Sequence, residues 1–405
     1  MATLVSELDL PVIDADFLTD PEKARQQYNE AVQHHWLARM PMGYAVLRHA
    51  AITRVLRDRR FHHLLRLMDG VRQLDPRLVD QRRQSILTAE GDEHQRLRRL
   101  VSPAFTPKSA ERLRPTMRAT MNALIDPVAQ RGTVEAVSEI CEPYPIPIIC
   151  ELLGAPPEDW QDFSRWAQDV LSGLDADANE KVDVILAARV ELDAYVTDLI
   201  ARRRTQPEDD LLTDLIAANE DGDSLSDDEL LTMVEAVLVA GVDTTRNQLG
   251  CALSLFAEHP DQWSALAADA DLAPRAVEEV MRFQGAVRGT GRYADEDIEI
   301  DDVLFPKGTL VFPAFTSGNR DVSVHESPDT FDMQRQAAVP QLTFGSGVHF
   351  CLGAFLARAE LQEALPLLAT RLPGLSLDEP ASWKPPTAAI FGPDRLQLSF
   401  TPTGS

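Results

Sequence analysis

Residues 344–353 read Phe-Gly-Ser-Gly-Val-His-Phe-Cys-Leu-Gly, and a helical pattern follows from Ala354 to Leu368. The glycines of this stretch allow the backbone to turn sharply and to lie close to a flat group. Cys351 stands just before the predicted helix, where backbone N–H groups and the helix dipole stabilise a thiolate. The stretch therefore predicts a cysteine that serves as a metal ligand.

The residues around Cys351 restrict which metal it binds. A tetrahedral zinc site needs several cysteine or histidine ligands, and no second one stands at zinc spacing from Cys351. An axial thiolate on haem iron needs no further protein ligand. The alternative reading is that Cys351 is a buried, inert cysteine beside a glycine turn.

Length and composition describe an ordinary globular chain. It has 405 residues, of which 44% are hydrophobic and 25% are charged, so disordered and fibrous classes are excluded. No apolar run approaches the roughly 20 residues of a membrane-spanning helix. The acidic N-terminal region also lacks the basic-then-apolar order of a signal peptide. We therefore expect a cytoplasmic protein without a membrane partner.

The cysteine pattern and the net charge exclude two further classes, disulfide-stabilised proteins and nucleic-acid-binding proteins. The four cysteines, at positions 141, 150, 251 and 351, show no CxxC spacing and are too scattered for a disulfide framework. The net charge of -25 repels nucleic acid over most of the surface. Nucleic acid is therefore not expected as a partner.

Hydrophobic periodicity predicts a mainly α fold with a smaller β region. Ser226 and Glu229 form a capping-box signature before a helix of roughly 30 residues that ends at Pro260. A second helix opens at Pro274 and runs to about Phe283. We expect one domain over residues 1–405, with α-rich parts at about 90–283 and 354–370 and β-rich parts at about 42–50, 293–315 and 385–402.

Residues 344–353, with Leu356-Ala357-Arg358 in the following helix, resemble the haem-binding loop of the cytochrome P-450 family. The resemblance extends over most of the chain. It implies the cytochrome P-450 fold, with haem b (heme, iron protoporphyrin IX) between the long central helix and the Cys-bearing loop and with an axial Cys thiolate. The cofactor-binding residues that it implies are His94, Arg98, Arg292, Phe344, His349, Cys351 and Gly353.

Cationic side chains for the two haem propionates stand at matching positions. His94 and Arg98 are one helical turn apart and present a shared face. The resemblance adds Arg292 and His349 to this set. An arginine considered alone more often forms an ion pair at the surface, so the positions of all four carry the assignment.

Ala240-Gly241-Val242-Asp243-Thr244-Thr245 lies midway along the predicted long helix. Glycine and threonine in a helix interior cost up to about 1 kcal/mol each relative to alanine, which predicts a local widening of the hydrogen-bond ladder. The resemblance implies that Asp243 and Thr244 are catalytic and relay protons during oxygen activation. The alternative is structural: a threonine bonded back to a carbonyl and an aspartate in a salt bridge.

A structural triad is implied by Glu279 and Arg282, which resemble the family's Glu-x-x-Arg pair, and by Arg335 further along the chain. The spacing of the pair is common in this sequence and carries little weight alone. Its order before Arg335 matches a family triad that locks the core on the cysteine side of the haem. We expect a structural role for all three residues.

Two segments differ from the family pattern or vary within it. The arginine-rich stretch from Arg57 to Arg83, which includes Arg82, falls where the family has a variable substrate-covering loop. The Asn-Arg-Asp motif at Asn319 is preceded by Gly318. Neither affects the haem assignment, but both make the substrate harder to infer.

Family position also implies a substrate pocket that is apolar with one exception. The exception is Arg288, which either turns toward solvent or a propionate, or pairs with a carboxylate or other acceptor on an otherwise apolar substrate. The pocket residues implied by the resemblance are Val239, Ala240, Val287, Arg288, Ile390 and Phe391.

The expected activity is that of a haem-thiolate monooxygenase, which inserts one oxygen atom of dioxygen into an apolar small molecule. The chain has no GxGxxG motif, so electrons must come from a separate ferredoxin or flavodoxin-type donor with its reductase. Two alternatives stay open: a peroxide-driven peroxygenase, which commonly lacks the acid–alcohol pair, and a non-catalytic haem or ligand sensor. The expected docking patch consists of Arg96, Arg99, Arg112 and Arg114.

Overall fold

The computed structural model describes residues 2–14, 21–64, 75–78, 85–156, 159–174, 178–220, 223–386, 388 and 390–403. Helices dominate the described residues, as the sequence predicted. The α-helices are Pro21–His34, His49–Arg57, Gly91–Val101, Pro107–Ile125, Pro145–Leu153, Trp160–Leu171, Val182–Thr205, Leu211–Ala217, Asp227–Ala257, Pro260–Ala268, Ala273–Phe283, Phe315–Gly318 and Ala354–Arg371. None of the helices in these ranges combines the length and hydropathy needed to cross a bilayer.

The helix Asp227–Ala257, which we call the central helix, has the predicted capping box at its start. The Ser226 hydroxyl accepts a hydrogen bond from the Glu229 N–H, and the Glu229 carboxylate accepts one from the Ser226 N–H. These bonds satisfy donors that the first helical turn leaves unpaired. The helix packs against Pro145–Leu153 and Trp160–Leu171, and most of its second half is buried.

The central helix continues without a break through Gly241, where the sequence predicted a widening. The Thr244 hydroxyl donates a hydrogen bond of 2.7 Å to the Ala240 carbonyl, which keeps this polar group within the helix. A Cβ at Gly241 would lie 2.5 Å from Ile149 Cδ1. The lack of a side chain at Gly241 therefore allows the central helix to pack closely against the helix Pro145–Leu153.

A five-stranded sheet forms the largest β structure of the described residues. Its order is Leu37–Met40, Gly43–Val46, Leu310–Pro313, Arg292–Ala294 and Phe61–His63. The second and third of these strands pair in parallel and the other neighbours pair antiparallel. In this register His63 lies opposite Arg292, which brings two polar residues to one end of the sheet.

The remaining described strands form short ladders. They are Thr3–Leu4, Thr133–Glu135, Asn219–Glu220, Asp223–Ser224, Ile298–Ile300, Val303–Phe305, Ser376–Leu377, Ser382–Trp383, Pro393–Arg395 and Gln397–Ser399. The strand near residue 42 ends at Val46, and a helix begins at His49. The β-rich part expected at about 42–50 is therefore shorter than predicted, because residues from His49 onward already belong to a helix.

The Ala354–Arg371 helix joins the cysteine loop to the helical core. It packs closely on Pro107–Ile125 and also on Ala273–Phe283. The Tyr144 hydroxyl donates to the Glu360 carbonyl at 2.8 Å, and the Trp263 indole donates to the Leu372 carbonyl at 3.0 Å. These contacts fix the direction in which the helix leaves the loop.

The predicted triad lies together, with Glu279 and Arg282 buried and Arg335 half-buried. Glu279 binds Arg282 through both carboxylate oxygens, at 2.7 and 2.8 Å, and Arg335 Nε at 3.1 Å. Arg282 also donates to the carbonyls of Asn319 and Pro328. Removing one member would leave an uncompensated buried charge, so the cluster holds the Ala273–Phe283 helix against the segment that precedes the cysteine loop.

Gly318, which departs from the family pattern, stands in a crowded position. A Cβ there would lie 2.5 Å from Leu342 Cδ1 and 2.7 Å from Ile52 Cδ1. The following Asn319 accepts the Leu342 N–H at 2.7 Å through its side-chain oxygen. Glycine therefore permits close packing between the helix His49–Arg57 and the segment that precedes the cysteine loop.

Candidate functional site

A cavity of about 330 Å³ lies between the central helix and the cysteine loop. Cys351, Thr244 and Arg292 all line it, so it brings together residues far apart in the sequence. Its other walls are mainly apolar. Apolar side chains in the lining include Ile86, Leu87, Phe105, Met233, Ala236, Val237, Ala286, Leu356 and Leu361.

Glycines shape the cysteine loop in two ways. Gly345 and Gly347 have φ of 71° and 74°, which side chains rarely adopt, and a Cβ on Gly347 would lie 2.2 Å from the Leu56 carbonyl oxygen. Gly353 has an ordinary φ of -81°, and a Cβ there would meet nothing within 4 Å. Gly347 is thus required by the fold, whereas Gly353 leaves open space beside Cys351.

Cys351 lies at the base of the cavity. Its N–H donates to the Phe344 carbonyl at 3.0 Å, which closes the loop. Burial raises the pKa of the Cys351 thiol, while the Gly353 N–H and the positive charge of Arg98 act to lower it. In the protein alone burial is the stronger effect, so a bound cation would be needed to stabilise the thiolate.

All four predicted propionate ligands line this cavity. The rings of His94 and His349 have their centroids 4.3 Å apart, and Arg98 Nη2 donates to the Phe350 carbonyl at 2.6 Å. Arg292 Nη1 donates to the Thr290 hydroxyl at 2.9 Å. Burial lowers the pKa of Arg292 to about 10 and that of His94 to about 4.

His63 and Glu90 join this cluster, and the sequence analysis missed both. His63 lines the cavity, and burial lowers its pKa to about 3. Burial alone would raise the pKa of Glu90, but contacts from the His349 ring and the His63 N–H lower it to about 2. No motif surrounds either residue, and pairing of His63 with Arg292 between distant strands is what places it here.

Thr244 and Asp243 face different surroundings. Thr244 lines the cavity, whereas Asp243 does not. The Asp243 carboxylate is 2.7 Å from Arg246 Nη2 and 3.8 Å from Lys384 Nζ. Both contacts of the structural alternative are therefore present: the threonine bonds to a carbonyl and the aspartate is ion-paired.

Glu360 is an acidic residue of the cavity lining that could not be singled out from a motif. Its Oε2 accepts the Thr245 hydroxyl at 2.9 Å, and its buried Oε1 has no hydrogen-bond partner. Burial raises the pKa of Glu360 to about 8, so it is largely protonated at neutral pH. The sequence did contain a signal for the burial of Glu360. It lies one turn from both Leu356 and Ala364, on the buried stripe of its helix.

Two of the six expected substrate-pocket residues, Ala240 and Val287, line the cavity. The other four, Val239, Arg288, Ile390 and Phe391, do not. Val239, which belongs to the central helix, is buried instead in the hydrophobic core. Arg288 stacks on Phe391, with its Cζ 3.4 Å from the centre of the ring.

The arginines of the expected docking patch are engaged within the chain. Arg96 pairs with Asp223 and Glu229, Arg112 with Asp209, and Arg114 with Glu111 and Glu363. Arg99 lies 3.9 Å from Asp223. Acidic residues of the region thus offset the positive field that the sequence predicted. Arg82 and Arg83 of the arginine-rich stretch lie outside the described residues.

The residues present fit a flat, anionic, metal-bearing group. Open space lies where side chains would start at Gly345 and Gly353, and a thiol stands between them. Arg98 and Arg292 face the cavity with carbonyl and hydroxyl partners but without a carboxylate in contact among the described residues. The buried Arg292 and the half-buried Arg98 are complementary to two carboxylates of a ligand.

Known proteins are similar to this chain over most of its length. The family model described as Cytochrome P450 matches residues 182–372. The luteothin monooxygenase of Streptomyces thioluteus is 37% identical over 400 residues, which cover 97% of this chain and 96% of that protein. The 6-deoxyerythronolide B hydroxylase of Saccharopolyspora erythraea is 38% identical over 291 residues, which cover 72% of this chain and 71% of that protein.

The solved structures agree with the sequence relatives. The crystal structure of CalO2 matches with a TM-score of 0.89 at 33% identity, covering 96% of this chain and 98% of that chain. The likeness thus includes the cysteine loop, the central helix and the sheet that together surround the cavity. Because it spans nearly the whole chain in both sequence and structure, the chain belongs to the cytochrome P450 family.

Proposed function

We propose that Cys351 is the axial thiolate of the haem in this P450 monooxygenase. The observation that carries the proposal is that one cavity contains the Cys351 thiol and four cationic or basic side chains facing it. The haem, when bound, supplies the activation of dioxygen for insertion of one oxygen atom into a substrate. The proposed haem contacts are His94, Arg98, Arg292 and His349 for the propionates and Phe344 and Gly353 for the face of the ring.

Thr244 and Asp243 are the proposed proton relay. The Thr244 hydroxyl lines the cavity but donates to the Ala240 carbonyl, so it must rotate away from that carbonyl to donate into the cavity. The Asp243 carboxylate is held by Arg246 and Lys384. To exchange a proton with Thr244, it must loosen one of these ion pairs. The structural contacts and the catalytic role are thus compatible as two states of the same side chains.

The substrate is proposed to be an apolar small molecule. Met233, Ala236 and Val237 lie on one face of the central helix and present hydrocarbon to the cavity. Gln248 lines the same cavity, but its amide group donates to the Gln284 carbonyl and accepts the Ala286 N–H. The polar atoms of Gln248 are therefore hydrogen-bonded within the protein. The apolar side chains of the lining exclude water from an apolar ligand.

Monooxygenation requires electrons from a redox partner. We propose a ferredoxin or flavodoxin-type donor with its reductase, and the four patch arginines as docking contacts. Since those arginines are paired within the chain, docking must exchange some of these pairs. The described residues are proposed to act as a single domain, and the protein is proposed to be cytoplasmic.

A carbon monoxide difference spectrum of the reduced, haem-loaded protein tests the proposal. We expect a red-shifted band of the thiolate type from the wild type. Cys351→His should replace it with a histidine-type band, because imidazole cannot supply the electron donation of the thiolate. Cys251→Ser provides a matched control at a buried cysteine outside the cavity lining. A wild-type band of the histidine type would overturn the assignment.

A further inference from the structure

Arg288 occupies a fixed position beside the wall of the cavity. Its carbonyl accepts the N–H groups of Phe315 and Thr316 at 2.9 and 3.3 Å. Its guanidinium lies over Phe391, whose own N–H donates to the Ala286 carbonyl at 2.9 Å. Both ends of Arg288 are thus held by neighbouring segments. A guanidinium stacked on a ring keeps its N–H groups in one plane, where they remain free to bind an anion.

The charge of Arg288 has no ion-pair partner among the described residues. Arg282 pairs with Glu279 at 2.7 Å, and Arg203 pairs with Asp210 at 2.5 Å. No carboxylate among the described residues forms such a pair with Arg288. Burial lowers the pKa of Arg288 to about 10, so the side chain is still cationic at neutral pH. A partly buried cation without an anion has unused binding capacity.

Arg98 and Arg292 give a comparison. These two arginines also lack a carboxylate partner among the described residues, and both line the cavity that fits the haem. Their anions are the proposed propionates. Arg288 lies outside that lining, while the adjacent Val287 belongs to it. Arg288 is therefore available to an anion other than the haem propionates, at a position next to the part of the wall that Val287 forms.

Tyr28 supplies a second donor. Its phenol lies within electrostatic range of Arg288, and no described residue accepts a hydrogen bond from its hydroxyl. Burial raises the pKa of Tyr28 to about 12, so the hydroxyl keeps its proton. A guanidinium and a hydroxyl without acceptors match the two oxygens of a carboxylate.

We propose that Arg288 and Tyr28 bind the carboxylate of an otherwise apolar substrate, whose hydrocarbon part reaches the cavity past Val287. The proposal rests on the proposed function and adds a substrate class to it. Arg288 acts here as a specificity-determining residue. The apolar part of the cavity lining selects hydrocarbon, and Arg288 selects an anionic end.

Binding of matched ligands to the haem-loaded protein tests this proposal. The probes are straight-chain fatty acids of increasing length and the primary alcohols of the same length, measured by spin-shift titration and by calorimetry. We expect the wild type to bind at least one acid roughly tenfold or more tightly than its alcohol, since a buried charge-assisted pair discriminates by about that much. If no acid in the series is preferred over its alcohol, the proposal is overturned.

Variants assign the preference to named groups. Arg288→Met should remove the preference for the acid and leave alcohol affinity within about twofold, since only the charged contact is lost. Tyr28→Phe should weaken acid binding by roughly threefold. Arg54→Met is the control, because Arg54 is an exposed arginine paired with Asp301. Equal acid preference in wild type and Arg288→Met would overturn the role of Arg288.

Two further measurements keep the test decisive. If Arg288→Met does not fold, Arg288→Lys retains a charge without the planar fork and should show a reduced but measurable preference. An unchanged or absent preference in that variant, with the wild-type preference intact, would contradict carboxylate recognition by the fork. The carbon monoxide spectrum is recorded for each protein. A wild type with a thiolate band but no preference for the acid refutes only the carboxylate-binding proposal. A wild type without the thiolate band refutes the proposed function.

Discussion

Single residues of the cavity carry both the chemistry and the clearest tests. Thr244 shows this, because its hydroxyl is the one predicted relay group that lines the cavity. Thr244→Ala should keep electron consumption but divert electrons to hydrogen peroxide, since the ordered hydroxyl is lost. Product formed per electron consumed is the measurement, and we expect a fall of roughly severalfold.

The neighbouring threonine gives the matched control. Thr245 binds Glu360, so Thr245→Val tests a buried hydroxyl that serves a different partner. Coupling that is unchanged in Thr244→Ala and lost in Thr245→Val would move the relay to the Thr245–Glu360 pair.

Glu360 makes stability depend on pH in a predictable direction. Burial raises its pKa from 4.5 to about 8, so the folded protein keeps a proton that the unfolded chain releases. The free energy of unfolding should therefore fall as pH rises between about 4.5 and 8, with a contribution of up to about 1.4 kcal/mol per pH unit. Glu360→Gln should flatten this slope in urea unfolding curves, and the exposed Glu299→Gln should not. Parallel slopes in wild type and Glu360→Gln would refute the raised pKa.

Cavity residues that stand in a contiguous motif could be singled out from the sequence, and their chemical roles stay predictions. Cys351 and Thr244 stand in short segments whose composition has a physical reason. His63 and Glu90 could not be predicted, because strand pairing and loop packing bring them to His349. Arg288 was predicted as a pocket residue from its sequence position, but stacking on Phe391 holds it outside the cavity lining.

At the scale of elements, the cysteine loop depends on two glycines for different reasons. Gly347→Ala should destabilise the protein by about 2 kcal/mol or more, because it combines a positive φ with a clash against a backbone carbonyl that cannot move aside. Gly353→Ala should leave the stability of the haem-free protein nearly unchanged, since nothing lies within 4 Å of its Cβ. Urea unfolding of the haem-free proteins measures both effects.

The same pair separates fold from cofactor binding. A methyl group on Gly353 enters the open space proposed for the haem face, so Gly353→Ala should alter the carbon monoxide spectrum or the haem content. If Gly353→Ala loses as much stability as Gly347→Ala, the open space is not a cofactor cradle. Normal stability in Gly347→Ala would show that the loop has more freedom than its backbone angles indicate.

Helix ends were more predictable than strands, and the reasons are local. Ser226, Glu229 and Pro274 act within one turn of the helix that they begin, so their sequence signature is complete. The strand Phe61–His63 is short, and its pairing partner Arg292–Ala294 is remote in the sequence. The uninterrupted central helix was missed because Gly241 is explained by Ile149 on another helix, which composition cannot reveal.

For the whole molecule, the charge distribution governs encounter with the electron donor. The net charge of -25 repels an acidic protein at long range. Each of the patch arginines Arg96, Arg112 and Arg114 already contacts a carboxylate of this chain, so the local attraction is small. Phe350 and Phe355, which flank Cys351 in the sequence, are exposed to 37% and 47%. Apolar contact is therefore available where electrostatic attraction is weak.

Ionic strength should then speed up the reaction with the donor. Salt screens repulsion between like-charged proteins over a Debye length of about 8 Å at physiological strength. The second-order rate constant for reduction by an acidic ferredoxin should rise between low and physiological salt, which stopped-flow absorbance measures. Phe355→Ser should lower the rate at every salt concentration, while Val190→Ser, at another exposed apolar residue, should not. A rate that falls with added salt would instead show that the patch arginines dominate docking despite their internal pairs, and that an acidic partner exchanges those pairs on arrival.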